Sequence, residues 1–145
     1  MLRRLVLTAA ASVAALSALP LLPVAAHAAP SHPSAPGPTD RLTITVSDSG
    51  GDGEGTYVLK CHPTGGTHPA AAKACARLDE VTVYGTDPFA PVPTDRMCTM
   101  QYGGPATARI TGTWQGRPVD ATYNRGNGCE ISRWDRMAPV LPHTS

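Results

Sequence analysis

Four cysteines are the residues of this 145-residue chain best suited to covalent chemistry: Cys61, Cys75, Cys98 and Cys129. Four cysteines can form two disulfides in three different pairings, or they can contribute to a zinc site. Structural zinc sites usually contain a Cys-x-x-Cys pair, and the sequence has none. We therefore expect disulfides, and we expect no bound metal or other cofactor.

Histidines and serines are the next candidates for chemistry, but they do not form a catalytic set. His62 and His68 lie near each other, yet no Gly-x-Ser-x-Gly motif accompanies them. The serines expected in the folded part are only Ser47, Ser49 and Ser132. Because no pair of nucleophile and base can be assembled, we expect that the protein is not an enzyme.

The run Arg-Met-Cys-Thr-Met-Gln-Tyr at residues 96–102 offers binding chemistry instead. It follows three prolines and has no helical periodicity, which indicates an extended segment. Met97 and Met100 are long, unbranched apolar side chains that could enter a pocket of a partner or pack in the core. From the residues alone, both interpretations remain open.

The N-terminus is typical of a secretory signal peptide. Arg3 and Arg4 precede an apolar run at residues 5–26, and Ala26-His27-Ala28 supplies the small-x-small cleavage pattern. We therefore predict a signal peptide at 1–28, cleaved after Ala28, and a secreted, extracellular protein. A membrane anchor is disfavoured because the apolar run is only marginally long enough to span and contains prolines.

Composition excludes a nucleic-acid partner. Without residues 1–28 the chain has 117 residues with ten basic and eleven acidic side chains, so the formal net charge changes from +1 to −1. Charged residues make up 16% of the chain, and no block of like charge is present. Export would also place the cysteines in an oxidising environment, where disulfides persist. We expect no membrane contact after cleavage.

The remaining sequence predicts a single α+β domain at 41–145, preceded by a flexible Pro-rich tail at 29–40. Alternating apolar residues predict strands, and an alanine-rich stretch predicts a helix. The predicted strands cover 41–47, 56–61, 81–84, 107–114 and 119–125, and the predicted helix covers 70–78. Asn127-Gly128-Cys129 is typical of a turn.

Several motifs together resemble the Streptomyces subtilisin inhibitor family of secreted serine protease inhibitors. The motifs are Cys61-His62-Pro63, Gly66-Thr67-His68-Pro69, Ala74-Cys75-Ala76-Arg77-Leu78, Met97-Cys98-Thr99-Met100-Gln101-Tyr102, Trp114-Gln115-Gly116 and Asn127-Gly128-Cys129-Glu130. The resemblance implies a five-stranded antiparallel sheet with two helices packed on it. It also implies disulfides from Cys61 to Cys75 and from Cys98 to Cys129, and a homodimer.

The resemblance implies an activity as well, the inhibition of extracellular serine proteases by a loop that binds like a substrate. It places the reactive bond between Met100 and Gln101, so that Met100 enters the primary pocket of the protease. An uncharged methionine suits the apolar pocket of subtilisin-like or chymotrypsin-like enzymes and not the acidic pocket of trypsin.

The other loop residues follow from the same resemblance, and residues 97–102 are called the reactive loop below. Besides the reactive bond, the protease would contact Met97, Cys98, Thr99 and Tyr102. Asn127 would support the loop from behind with side-chain hydrogen bonds. The disulfide of Cys98 would stiffen the loop and hold the fragments together after a cut.

Two positions depart from the commonest pattern of that family. Thr99 replaces a frequent proline, and Gln101 replaces a small or β-branched residue. These departures leave an alternative hypothesis: a secreted binding module on the same scaffold that contacts another extracellular enzyme and inhibits serine proteases little.

Overall fold

The computed structural model describes residues 39–51 and 53–144. The predicted signal peptide and residues 29–38 of the predicted tail lie outside the described residues. In chain order the elements are β1 (Asp40–Ser47), β2 (Gly55–Cys61), β3 (Gly65–Gly66), α1 (Ala71–Val81), β4 (Thr107–Trp114), β5 (Arg117–Tyr123) and α2 (Gly128–Arg136). Neither helix in the described part of the chain is long and apolar enough to cross a membrane.

The five strands form one antiparallel sheet in the order β3-β2-β1-β4-β5. The predicted α+β class is therefore confirmed. In β1, the central strand, Leu42, Ile44 and Val46 are buried, as their alternation with polar residues predicts. A tight turn at Gln115 and Gly116, both with positive φ, joins β4 to β5 as a hairpin.

One apolar core lies between the sheet and the helices. It contains buried side chains of the four longer strands, of both helices and of the segment after α2. Trp134 of α2, with none of its surface exposed, is the largest of them. The disulfide between Cys61 and Cys75 joins the end of β2 to α1, with 5.6 Å between the two Cα atoms.

Helix α1 is longer than its alanine-rich stretch predicts. Ala74, Cys75 and Leu78 face the core, and the hydroxyl of Thr82 donates a 2.6 Å hydrogen bond to the Leu78 carbonyl at the end of the helix. The predicted strand at 81–84 is wrong. Val81 belongs to the helix and Tyr84 lies in an exposed turn, because the apolar residues there have no neighbouring strand to pair with.

The turn predicted at Asn127-Gly128-Cys129 is the N-terminus of α2. The Asn127 side-chain oxygen accepts a 3.0 Å hydrogen bond from the Glu130 N–H, which is the usual role of an N-cap residue. Glu130 in the first turn and Arg133 and Arg136 in the last turn also have the charges that the helix dipole favours.

A polar cluster closes one end of the sheet, where β1 begins at Asp40, one residue before the predicted domain boundary. The imidazole of His62 lies between two carboxylates, with Nδ1 2.8 Å from Asp40 and Nε2 3.2 Å from Asp79 of α1. Asp40 is buried and also accepts a hydrogen bond from the Gln115 backbone N–H of the β4–β5 turn. The cluster therefore ties β1, α1 and the hairpin together.

This cluster predicts that the protein loses stability as the pH rises. The hydrogen bond to Asp40 and then that to Asp79 raise the pKa of His62 above its usual 6.5. The stabilisation is full below pH 6.5, the unfolded value, and is lost as the pH rises through the folded-state value. We expect the melting temperature to fall as the pH rises from about 6.5 through the raised folded-state pKa of His62.

The substitution His62→Asn should remove most of this dependence, because asparagine tolerates the positive φ of 55° at this position but cannot titrate. His143→Asn, at an exposed histidine, is the matched control and should keep it. Melting curves across the pH range check the prediction. An unchanged pH dependence in His62→Asn would contradict it.

Candidate protease-binding loop

The reactive loop is exposed and has neither helical nor strand structure. Met97 has 94% of its surface exposed, Met100 has 95% and Tyr102 has 69%. Burying large apolar side chains is favourable, so their exposure needs a reason other than folding. The core interpretation of Met97 and Met100 is wrong, because neither side chain packs inside the domain.

The upstream end of the reactive loop is bonded to the start of α2. Cys98 forms a disulfide with Cys129, the second residue of the helix, with 5.4 Å between their Cα atoms. The next residue, Thr99, accepts a 3.0 Å hydrogen bond at its carbonyl from the Gly128 N–H. The chain just before Met100 is therefore held by one covalent bond and one hydrogen bond.

The downstream end is held by two hydrogen bonds to Arg125, which lies two residues after the end of β5. The Gly103 N–H donates a 2.8 Å hydrogen bond to the Arg125 carbonyl, and the Arg125 side-chain Nε donates a 3.0 Å hydrogen bond to the Gly103 carbonyl. Both ends of the loop thus contact one short stretch, Arg125–Cys129, called the backing segment below. Within the described chain, residues 100–102 form no hydrogen bond with other residues, so their backbone groups are open to a partner strand.

Two glycines allow the loop to approach its support closely. A Cβ atom on Gly128 would lie 2.0 Å from the Thr99 hydroxyl oxygen, and one on Gly103 would lie 2.7 Å from the Ile131 side chain. Contacts this short do not occur between real atoms, so a larger residue would displace the loop. The contact with Gly128 therefore restrains Thr99.

Asn127 lies in the backing segment, as the resemblance implies, but its observed hydrogen bond caps α2 and does not reach the loop. This cap holds the start of α2, where Gly128 and Cys129 are bonded to the upstream end of the loop. A direct bond from the Asn127 amide group to the loop remains a prediction.

Sequence reasoning missed two arginines that organise the region. Arg125 forms both downstream bonds described above. Arg133 of α2 is buried and donates hydrogen bonds of 3.0 Å and 2.8 Å to the carbonyls of Phe89 and Ala90, with its guanidinium 3.9 Å from the Tyr123 ring centre. It fixes the Pro-rich chain that leads into the loop. Isolated arginines have no sequence pattern that could have revealed these roles.

His62 and His68, the two histidines considered as catalytic candidates, have structural roles. His68 is buried, with Nε2 3.1 Å from the Val140 carbonyl and Nδ1 accepting from the Ala70 N–H, and burial lowers its pKa. His62 belongs to the carboxylate cluster at the end of the sheet. In the described part of the chain, no group of three or more histidine, cysteine, aspartate or glutamate side chains is placed to hold a metal ion.

Comparison with known proteins connects this geometry to a family. The sequence profile of the Subtilisin inhibitor-like family matches residues 38–127, a range that includes the reactive loop and Asn127. The chain belongs to this family. The match ends at the N-cap of α2, so it covers every strand and the first helix.

Several relatives carry the family's name. Subtilisin inhibitor-like protein 1 of Streptomyces cacaoi is 42% identical over 80 residues, which are 52% of this chain and 68% of that protein. Subtilisin inhibitor-like protein 12 of Streptomyces hygroscopicus is 36% identical over 104 residues, which are 63% of this chain and 86% of that protein. The crystal structure of Streptomyces caespitosus sermetstatin in complex with Bacillus licheniformis subtilisin aligns with 72% of this chain and 100% of its own, at 22% identity and a TM-score of 0.44.

The contact between Gly128 and Thr99 generates a stability prediction. Gly128→Ala should lower the free energy of unfolding by about 1 kcal/mol, because the new methyl group collides with the Thr99 side chain. The double variant Gly128→Ala with Thr99→Ala should recover most of this loss. Denaturant unfolding measures both.

Gly51→Ala is the matched control, because a Cβ at Gly51 meets nothing within 4 Å. It should leave the free energy of unfolding within about 0.5 kcal/mol of the unaltered protein. A Gly128→Ala variant as stable as this control would contradict the proposed close approach.

Proposed function

We propose that this chain is a secreted inhibitor of subtilisin-type serine proteases that binds like a substrate through the reactive loop, with the reactive bond between Met100 and Gln101. The observation that carries the proposal is the 95% exposed Met100 side chain between two anchored ends of one loop. Membership of the Subtilisin inhibitor-like family supports the same function.

The loop has the three properties that substrate-like inhibition needs. Its backbone at residues 100–102 can pair with a protease as an added strand, and Met100 can fill an apolar pocket. The anchored ends reduce the conformational entropy that the loop would lose on binding. Complexes of this type usually bury about 800 Å² on each partner.

Anchoring at both ends also explains why the protein would inhibit the protease instead of being cleaved and released as a substrate. If the bond between Met100 and Gln101 is hydrolysed, the upstream fragment stays attached to α2 through Cys98 and Cys129. Within the downstream fragment, Gly103 stays bonded to Arg125, so the new N-terminus at Gln101 stays close to its position in the uncut loop. Cleavage therefore releases little chain entropy, and re-formation of the bond can compete with dissociation.

The remaining parts of the proposal rest on the sequence. Secretion follows from the signal-peptide pattern at residues 1–28, and two disulfides suit an oxidising compartment. Chymotrypsin-like enzymes are proposed as further targets because their primary pocket is also apolar. A homodimer is proposed from the family resemblance, and we propose no enzymatic activity, cofactor or nucleic-acid partner.

Titration of subtilisin with the mature protein tests the function. We expect near-stoichiometric loss of protease activity at about micromolar concentrations, because inhibitors of this type bind much more tightly than that. Full residual activity would contradict the proposal. A slow cut between Met100 and Gln101 followed by the return of activity would favour the alternative, a binding module on the same scaffold.

Exchange of the anchor side chain tests the reactive bond. Met100→Lys should tighten the inhibition of trypsin by at least about a hundredfold, because a lysine would pair with the buried carboxylate of the trypsin pocket. Its inhibition of subtilisin should weaken. Inhibition constants for both proteases measure the change.

Met97→Lys is the matched control, since Met97 is exposed to the same degree and lies in the same loop. It adds the same charge but should leave trypsin inhibition within about threefold of the unaltered protein. Equal gains for the two variants would mean that the reactive bond is misplaced.

A further inference from the structure

Arg125 is bonded to the reactive loop by both its main chain and its side chain. It lies outside the loop, two residues after the end of β5, and only 8% of its surface is exposed. Its carbonyl accepts from the Gly103 N–H at 2.8 Å, and its Nε donates to the Gly103 carbonyl at 3.0 Å. Because one residue forms both bonds, Gly103 is held in position and in orientation.

The guanidinium of Arg125 is itself held by α2. Its Nη1 donates a 2.8 Å hydrogen bond to the Asp135 carboxylate, and its central carbon lies 5.9 Å from the Trp134 ring centre. A buried guanidinium with a carboxylate partner and a neighbouring aromatic ring has little freedom to move. Gly103 is therefore connected through one side chain to the second half of the helix.

The two ends of the loop differ in the kind of bond that holds them. The upstream end has the disulfide of Cys98, which survives any cleavage of the loop. Among the described residues, the downstream end has only the two hydrogen bonds between Gly103 and Arg125. After a cut, the disulfide keeps the two fragments in one molecule but does not position the new amino group of Gln101, which lies two residues before Gly103.

We propose that Arg125 is the positioning residue that holds the Gln101 amine beside Met100 after cleavage, which makes the protein a lasting inhibitor and not a slow substrate. The inference rests on the proposed function. In the acyl-enzyme, the carbonyl carbon of Met100 is joined to the serine oxygen of the protease. The Gln101 amine attacks this carbon, the C–N bond re-forms as the ester bond breaks, and the serine oxygen takes the proton that the amine loses.

Arg125→Lys tests this role with the charge retained. Lysine can still pair with Asp135 but lacks the fixed fork that bonds Gly103. We expect the same initial stoichiometry of subtilisin inhibition as in the unaltered protein. Protease activity should then return about tenfold faster, as the loss of one charge-assisted hydrogen bond implies, while the cleaved form accumulates.

The split between stoichiometry and duration distinguishes positioning from general stability. Arg109→Lys is the matched control, because Arg109 also forms a two-bond pair with an aspartate, Asp120, but on the exposed side of the sheet. It should inhibit for as long as the unaltered protein. Inhibition by Arg125→Lys that lasts equally long would overturn the inference.

A second measurement needs no variant and so does not depend on the folding of Arg125→Lys. Hydrogen exchange is followed at the Gly103 amide of the unaltered protein before and after cleavage. The inference predicts that this amide stays protected in the cleaved form, and loss of its protection would overturn it. Failure of the unaltered protein to inhibit subtilisin would instead overturn the proposed function.

Discussion

The exposed loop of this protein is tethered at both ends to the same five residues, Arg125–Cys129. The upstream end has a disulfide and a hydrogen bond to this backing segment, and the downstream end has two hydrogen bonds to it. An exposed segment with unpaired backbone groups would ordinarily be mobile. Here its ends cannot separate, and the residues between them remain open to a partner.

The rest of the domain positions the backing segment. Arg125, the first residue of the segment, lies just after the hairpin of β4 and β5. Gly128 and Cys129, its last two residues, begin α2, which Asn127 caps. The helix in turn is fixed by the burial of Trp134 in the core and by the bonds from Arg133 to the Pro-rich chain. A thin core with few aromatic residues is sufficient because the two disulfides add about 3 to 4 kcal/mol each in the loop-entropy model.

The elements whose apolar residues repeat with a regular spacing could be predicted from the sequence. Alternating residues in β1 and the alanine-rich start of α1 determine those elements locally. The strand predicted at 81–84 failed because Val81 continues α1, and the exposed Val83 and Tyr84 have no neighbouring strand to pair with. Helix α2 was missed from the residues alone because it begins with glycine and contains few strong helix formers. The helix is stabilised mainly by the burial of Trp134 in the core. Asn127 followed three residues later by Glu130 was the available signal.

Some features of the candidate site could likewise be predicted from the sequence, and others could not. A run of residues with two methionines and a cysteine is visible in the sequence, and the family resemblance supplied the disulfide pairing that the structure contains. The bonds between Gly103 and Arg125 could not be predicted, because only the folded sheet brings these two distant residues together. A single arginine among glycines and asparagines is typical of a turn and gives no sign of a contact.

Mass analysis after exposure to catalytic amounts of subtilisin tests most directly the claim that the loop is cut and held between two anchored ends. The account predicts that the mass of the unreduced protein rises by one water molecule. After reduction it predicts two fragments, one ending at Met100 and one beginning at Gln101. Cleavage at another bond, or fragments that separate without reduction, would contradict the account.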